Sequence, residues 1–322
     1  MKENIIKMSK KILKLIVFSI FINVSSLFSQ DYNLQTIKLW QNESIPFNKK
    51  EILLNEKLDE VGLRYTQISE PMLYVYKNKN LKNNGAAMLF CPGGGYANVT
   101  IGKNNGANEA KYFLDMGFNV VAVLKYRLPD TLIVNSQEQV PLCDAQKALS
   151  LVHQNASNWS VNREKIVVIG SSAGGHLAAS LSNLKDSIIA PNVKQDDLKI
   201  AATILMYPVM SFNLPYRHKG SYKRLLANKF NDQTLLDYYS MENQVNITTP
   251  PTYIIHALDD KSVVYQNSVI YCDSLEKYNI KYKYTALEKG GHGFGFNFNR
   301  TGIDWTKELK IWLTTDLGLL EN

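Results

Sequence analysis

Two kinds of apolar pattern alternate along the chain. Short continuous apolar runs bounded by turn-forming residues are typical of buried strands, and they lie at residues 71–76, 86–91, 118–126, 165–169, 200–207, 252–257 and 282–285. Between them, apolar residues recur at helical spacing at residues 106–116, 141–155, 174–184, 263–278 and 304–317. This alternation predicts an α/β protein in which a mainly parallel sheet carries helices on both faces.

One stretch interrupts the alternation. Residues 211–250 separate two predicted strands and are rich in Tyr, Asn, Lys and Leu. A connection of that length is usually functional, so we expect a cap or lid inserted into a single domain that spans residues 30–322. The alternative is a set of surface helices that touch no substrate.

The N-terminal segment has the pattern of an export signal. Lysines at positions 2, 7, 10, 11 and 14 precede an apolar run at residues 15–28, which is shorter than the roughly 20 residues of a membrane-spanning helix. We therefore predict a signal peptide at residues 1–29, no stable membrane span, and a periplasmic or extracellular bacterial location. An uncleaved membrane anchor is the alternative.

Composition and charge exclude several classes of protein. With 45% hydrophobic and 20% charged residues among 322, the chain is neither disordered nor of low complexity. The net charge of +7 arises largely from the N-terminal lysines, since residues 31–322 hold 31 basic and 28 acidic side chains. That balance gives no case for nucleic-acid binding. No pattern indicates an oligomeric state.

The cysteines and the other candidate ligands do not indicate a metal site or a disulfide framework. Cys91, Cys143 and Cys272 form no CxxC pair, so neither a zinc ribbon nor a disulfide framework is expected. We expect three buried inert thiols, and the alternative is one disulfide bridge with one thiol left over. No cluster of His, Cys and carboxylate residues has ligand spacing. We expect the protein to need neither metal nor cofactor.

Residues 170–174 read Gly-Ser-Ser-Ala-Gly, a G-x-S-x-G pentapeptide between a predicted strand and a predicted helix. That context is what a nucleophile elbow requires, because the strand must reverse sharply into the helix and small residues must flank the turn. Ser172 is the predicted nucleophile, exposed at the edge of the sheet beside a helix N-terminus.

A serine nucleophile needs a base and an acid that orients the base. Among the five histidines, His292 lies in a glycine-rich loop (residues 290–295) between the last predicted strand and the last predicted helix, and it is the predicted general base. Asp260 follows the strand at 252–257 and is the preferred triad acid, with Asp259 as the alternative. The order Ser, Asp, His is that of α/β-hydrolases. We expect His176 and His256 to be structural.

A second glycine-rich loop follows the strand at 86–91. Residues 92–96 read Pro-Gly-Gly-Gly-Tyr and fit a loop whose backbone amides build an oxyanion hole. The predicted donors are the amides of Gly94, Gly95 and Ala173. We expect Tyr96, beside this loop, to border the acyl pocket.

Taken together, these motifs are similar to those of the α/β-hydrolase esterases, in the hormone-sensitive-lipase-like and acetylxylan-esterase-like group. The resemblance covers about residues 60–317. It rests on the segments CPGGGY (91–96), VVAVLKYRLP (120–129), DAQKAL (144–149), IVVIGSSAGGHLAA (166–179), HKGSYKRLL (218–226), TPPTYIIHALDDKSVV (249–264) and GGHGFG (290–295). Pro92 departs from the pattern, since a histidine is common at that position.

This resemblance implies an α/β-hydrolase fold and a serine esterase that removes acetyl groups from xylan or a related plant polysaccharide. It makes Arg127 and Asp144 structural landmarks. The expected partner is an acylated carbohydrate or a small ester. A broad short-chain carboxylesterase and a feruloyl esterase are alternatives, and an inactive scaffold that binds glycan or protein is the non-enzymatic one.

Overall fold

A computed structural model describes residues 32–41, 43–50, 55–80, 82 and 84–321. The predicted signal peptide lies outside these residues. The described strands are β1 (Tyr32–Lys38), β2 (Lys57–Leu58), β3 (Arg64–Thr66), β4 (Met72–Asn78), β5 (Ala87–Cys91), β6 (Val99–Thr100), β7 (Val120–Lys125), β8 (Ile166–Ser171), β9 (Ala202–Met206), β10 (Thr252–Ala257) and β11 (Tyr282–Leu287).

Eight of these strands form one central sheet in the order β1-β4-β7-β5-β8-β9-β10-β11. β1, β4 and β7 pair antiparallel, and every pair from β7 to β11 is parallel. The mainly parallel sheet predicted from the sequence is therefore confirmed. A small antiparallel sheet of β2, β3 and β6 lies apart from it.

The helices follow the predicted alternation. They are α1 (Ala107–Met116), α2 (Val140–Gln154), α3 (Ala173–Asn183), α4 (Lys219–Leu226), α5 (Gln233–Tyr238), α6 (Gln266–Lys277), α7 (Phe298–Thr301) and α8 (Thr306–Ile311). The predicted C-terminal helix at 304–317 is divided, because a π-helical turn follows α8 at Trp312–Asp316.

The core explains why the strands were readable as continuous apolar runs. Every residue of β5, β7, β8, β9 and β10 is buried, because helices cover both faces of the parallel part of the sheet. The carboxyl ends of these central strands lead into the loops that carry the candidate site.

The segment 211–250 folds into α4, α5 and short 3₁₀ turns against the main domain. Its aromatic residues Phe212, Tyr222 and Tyr239 are buried, and the Phe212 ring stacks on the His176 ring at a centroid distance of 4.5 Å. These rings form the packed interior of the segment and are not free to stack on a sugar.

Two further sequence expectations can be compared with the described residues. Cys91, Cys143 and Cys272 are free and buried, and burial raises the pKa of each thiol to about 12, as expected for inert thiols. No helix within the described ranges is long and apolar enough to cross a membrane.

Candidate active site

Ser172 lies at a strained turn between β8 and α3. Its backbone has φ 54° and ψ −121°, a conformation that a non-glycine residue rarely adopts. The turn leaves no room for a Cβ atom on either side: one on Gly170 would lie 2.0 Å from the Gly174 oxygen, and one on Gly174 would lie 2.1 Å from the Cys91 oxygen. The spacing of the pentapeptide is thus a steric requirement of this turn.

The structure brings Ser172, His292 and Asp260 into one hydrogen-bonded series. Ser172 Oγ lies 2.8 Å from His292 Nε2, and His292 Nδ1 lies 2.7 Å from Asp260 Oδ2. The carboxylate accepts a hydrogen bond from Nδ1–H, which leaves Nε2 unprotonated and able to accept the proton of the serine hydroxyl. The side chain of Asp260 is fully buried, whereas that of His292 is 25% exposed.

Asp260 is held as an anion by donors on both oxygens. Oδ1 accepts the backbone N–H groups of Ser262 and Val263, at 2.8 and 3.0 Å, and Oδ2 also lies 3.2 Å from His256 Nε2. Burial alone raises the pKa of this carboxyl, but the hydrogen bonds from His256 and His292 outweigh it and leave the pKa well below its usual range.

Asp259, the alternative triad acid, has a different contact. Its Oδ1 accepts the backbone N–H of Gly291 at 2.7 Å, and its side chain is exposed. Asp259 therefore supports the loop that carries His292, while Asp260 contacts the imidazole itself. The geometry favours Asp260.

Further contacts fix the position of the His292 loop. The guanidinium of Arg300 donates to the carbonyl oxygens of Gly290 and His292, at 2.6 and 3.1 Å. The Tyr207 ring packs edge-on against the imidazole, with a centroid distance of 5.1 Å. The imidazole is thus oriented by its carboxylate, by its loop and by an aromatic neighbour.

The loop after β5 lies beside Ser172, since a Cβ atom on Gly93 would lie 3.3 Å from the Ser172 Cβ. Gly94 has φ 137°, and a Cβ there would lie 2.0 Å from the Asn98 oxygen. No acceptor among the described residues is bonded to the amides of Gly94 and Gly95. Ala173 begins α3, so its N–H has no carbonyl partner within the helix. Within the part of the chain that the structure describes, these amides thus have no backbone acceptor, as the predicted oxyanion hole requires.

Tyr96 corrects one sequence expectation. Its side chain is 3% exposed, its hydroxyl lies 2.8 Å from His176 Nδ1, and its ring packs edge-on against Tyr126. It therefore lies in the core behind the loop and does not border an acyl pocket. His176 lies in the same packing, as expected for a structural residue, and burial lowers its pKa to about 4.

Ser172 and His292 open into a cleft of about 540 Å³. The side chains at its wall are Arg64, Phe90, Asn98, Thr100, Glu109, Ser171, Met206, Tyr207, His218, Ser262 and Phe296, and backbone of Gly93–Gly95, Gly293 and Gly295 completes it. The Glu109 carboxyl is partly buried here, and burial raises its pKa.

Sequence reasoning missed four residues of this site. The sequence predicts only a structural role for His256, yet His256 contacts Asp260. The available signal was the spacing, since His256 lies near the end of β10 and Asp260 follows four residues later. Arg300 and Tyr207 had no motif that set them apart. His218 lies in the segment HKGSYKRLL (218–226), whose sequence alone indicates no role for the imidazole.

Within the described parts of the chain, no group of three His, Cys, Asp or Glu side chains is placed to hold a metal ion.

Comparison with known proteins supports the same reading of the fold. A model of the BD-FAE family matches residues 73–275. The chain is 32% identical over 226 residues to endo-1,4-beta-xylanase B of Butyrivibrio fibrisolvens, and 30% identical over 216 residues to an acetylxylan esterase of Xylanibacter ruminicola. These alignments cover 69% and 66% of this chain but only 34% and 42% of the relatives, so the chain spans less than half the length of either.

A solved structure extends the likeness over most of the molecule. The acetyl ester-xyloside bifunctional hydrolase of Caldicellulosiruptor lactoaceticus superposes with a TM-score of 0.71 at 27% identity, covering 89% of this chain and 97% of the hydrolase. The fold is that of the α/β-hydrolase esterases. With more than half of its residues matched by the family model, the chain belongs to the BD-FAE family.

Proposed function

We propose that the protein is a serine esterase that removes acetyl groups from xylan or a related plant polysaccharide. The observation that carries this proposal is the series Ser172–His292–Asp260, with donor–acceptor distances of 2.8 and 2.7 Å, at the wall of an open cleft. A nucleophile, a base and an orienting acid in this order are the machinery of acyl transfer.

In the proposed acylation step, His292 Nε2 takes the hydroxyl proton of Ser172 as Oγ attacks the ester carbonyl carbon. The amides of Gly94, Gly95 and Ala173 stabilise the negative charge on the resulting tetrahedral intermediate. Its collapse breaks the bond to the alcohol oxygen, and the alcohol leaves with the proton from His292.

Deacylation uses the same groups. His292 takes a proton from water, the hydroxide attacks the acetyl carbonyl carbon, and acetate leaves as the proton returns to Ser172 Oγ. Because Asp260 stays ionised, it keeps the Nδ1 proton in place and stabilises the imidazolium that forms in each step.

The substrate class comes from the relatives. Two of them are named for xylan chemistry, an acetylxylan esterase and a xylanase, and the structural neighbour is named as an acetyl ester-xyloside hydrolase. A cleft of about 540 Å³ that is open to solvent suits an ester carried on a polymer. We further propose that residues 211–250 act as a cap beside the cleft, and that the N-terminal signal directs the protein out of the cytoplasm.

A direct assay tests the proposal. The purified protein and its Ser172→Ala variant are incubated with acetylated xylan, p-nitrophenyl acetate and methyl ferulate, and the release of acetate, nitrophenol and ferulate is measured. We expect acetate and nitrophenol release from the wild type and loss of both in the variant.

Other outcomes have separate meanings. Release from p-nitrophenyl acetate alone would reject the polysaccharide substrate, and release from methyl ferulate would favour a feruloyl esterase. Failure of Ser172 to react with a fluorophosphonate would reject the serine mechanism and favour an inactive scaffold.

A further inference from the structure

His218 is the residue of the 211–250 segment that reaches the cleft: among the described residues at the cleft wall, no other comes from this segment. It precedes α4 as the N-cap residue, with φ −77° and ψ 104°. The mechanism proposed above does not use it. The N-cap hydrogen bond accounts for Nδ1 of this ring, but it gives no role to the rest of a polar side chain at the wall beside Ser172 and His292.

The contacts of His218 assign its proton. Nδ1 accepts the backbone N–H of Ser221 at 3.3 Å and lies 2.8 Å from the Ser221 hydroxyl. Since a backbone N–H can only donate, Nδ1 carries no proton, and the neutral ring carries its proton on Nε2. None of the described residues accepts a hydrogen bond from Nε2.

The surroundings keep this ring neutral. Burial lowers the pKa of His218, and the neighbouring His292 imidazole and Arg224 guanidinium lower it further, while Asp260 acts in the opposite sense. Arg224 is itself fixed beside the site, since its Nη1 donates to the Gly95 oxygen at 3.4 Å. His218 is thus an uncharged donor whose orientation is set by a helix terminus.

The layout of the cleft indicates which part of a substrate faces this donor. The carbonyl oxygen is held by backbone amides on the side of Gly94 and Ala173. The leaving oxygen must face His292, since that imidazole protonates it. His218 lines the same cleft as His292, and so does Ser262, whose backbone N–H donates to Asp260 Oδ1. Polar groups therefore converge where the alcohol portion of an ester would lie.

We propose that His218 Nε2–H donates a hydrogen bond to an oxygen atom on the carbon next to the ester-bearing carbon of the alcohol, as in a partly acetylated sugar. This inference rests on the proposed esterase function and names a specificity-determining residue for it. Sugar esters have such an oxygen beside each ester, whereas simple alkyl acetates do not.

Three small esters distinguish the effect of this hydrogen bond on kcat/KM from the effects of the other residues of the site. Ethyl acetate has no neighbouring oxygen, 2-hydroxyethyl acetate has a hydroxyl, and 2-methoxyethyl acetate has an oxygen that accepts but cannot donate. Each kcat/KM is divided by the rate constant for hydroxide-catalysed hydrolysis of the same ester, which removes differences in intrinsic reactivity. Because His218 donates, we expect both oxygen-bearing esters to exceed ethyl acetate by about tenfold.

The variant that removes the donor is His218→Asn. Asparagine is a favoured N-cap residue and keeps the start of α4, but its shorter side chain does not reach the position of Nε2. We expect this variant to hydrolyse the three esters at normalised rates within about twofold of one another, because the preference for a neighbouring oxygen is lost. The matched control is Lys219→Ala, an exposed neighbour that does not line the cleft and should keep the tenfold preference.

The results that overturn the inference differ from those that overturn the proposed function. An active wild type without the tenfold preference, or a His218→Asn variant that keeps it, would reject the contact alone. A preference for 2-hydroxyethyl over 2-methoxyethyl acetate would reject His218 as the donor. A parallel loss on all three esters would show a structural role, while activity that survives Ser172→Ala would reject the serine mechanism instead.

Discussion

Two buried carboxylates organise this molecule, and they differ in their partners. Asp260 shares its oxygens among two backbone amides, His256 and His292. Asp144 on α2 accepts hydrogen bonds from Trp40 Nε1 at 2.9 Å and from the backbone and guanidinium of Arg127, the latter at 2.6 Å. Both side chains of the Arg127–Asp144 pair are fully buried.

The difference lies in whether a partner can change its proton. Arg127 is always charged, its five donors are fixed in a plane, and it also donates to Asn48 Oδ1 and to the Pro46 carbonyl. His292 carries an imidazole, which can accept a proton on Nε2 and release it again, and the side chain is partly exposed and contacts Ser172. We therefore expect the buried carboxylate of Asp144 to hold segments together and that of Asp260 to serve the proposed acyl transfer, and four predictions test this difference.

The largest effect is expected for Asp260→Asn. An amide NH₂ facing Nδ1 would hold the imidazole with its proton on Nε2, where it cannot accept the proton of Ser172. We expect kcat for p-nitrophenyl acetate to fall by about 10⁴-fold. Urea unfolding should show a loss of only about 1–2 kcal/mol, from weaker hydrogen bonds. A variant that keeps more than a tenth of the activity would remove Asp260 from the proposed triad.

The reverse pattern is expected for Arg127→Met. This change leaves Asp144 buried without its charged partner, so we expect the free energy of unfolding to fall by about 3–5 kcal/mol. At a temperature where the variant is folded, kcat should stay within about threefold of wild type. The double variant Arg127→Met/Asp144→Leu, which removes both charges, should recover much of the lost stability. A normally stable single variant would contradict the structural role.

The contacts of Asp260 and Asp144 also show how much of the structure could be predicted from the sequence. The buried parallel strands, the elbow at Ser172 and the Gly93–Gly95 loop each have a local pattern, because continuous burial and close backbone contact restrict the residue types allowed. β1 was missed because its residues are mostly exposed at the edge of the sheet and show no alternation.

Contacts that join distant segments left no such pattern. The bond from Tyr96 to His176 spans 80 positions, and the link from Arg300 to the Gly290 carbonyl depends on the fold of a loop. Tyr96 follows the predicted oxyanion loop in the sequence, which is why the sequence predicted a place for it at the acyl pocket. Its backbone has φ 57°, and this turn directs the side chain into the core. Side-chain direction at such turns follows from tertiary packing.

A smaller effect is expected on the free energy of unfolding when the pH is lowered. The pKa of Asp260 is lower in the folded protein than the value of about 3.9 in an unfolded chain, so its stabilising contribution is present above pH 4 and is lost as the pH falls towards the folded-state pKa. The difference of about 1–2 kcal/mol between wild type and Asp260→Asn should therefore shrink in urea unfolding below pH 4. The difference between wild type and Ser172→Ala, which changes no carboxyl group, should stay constant with pH. A constant Asp260→Asn difference down to pH 3 would contradict the assignment.

The smallest effect is expected for Asp259→Asn. This substitution tests whether activity depends on a carboxylate that contacts the imidazole or on any carboxylate in the loop after β10. Asp259 accepts only from the Gly291 amide in the described structure, and its side chain is exposed. An asparagine oxygen can accept the same hydrogen bond without the charge, so we expect kcat to fall by less than about threefold and the unfolding free energy to change by less than about 0.5 kcal/mol. Measured beside Asp260→Asn with p-nitrophenyl acetate, the two neighbouring substitutions should differ by about three orders of magnitude or more, since only one removes the acceptor of the Nδ1 proton. Equal losses would mean that the loop, and not the carboxylate on the imidazole, controls the proton transfer.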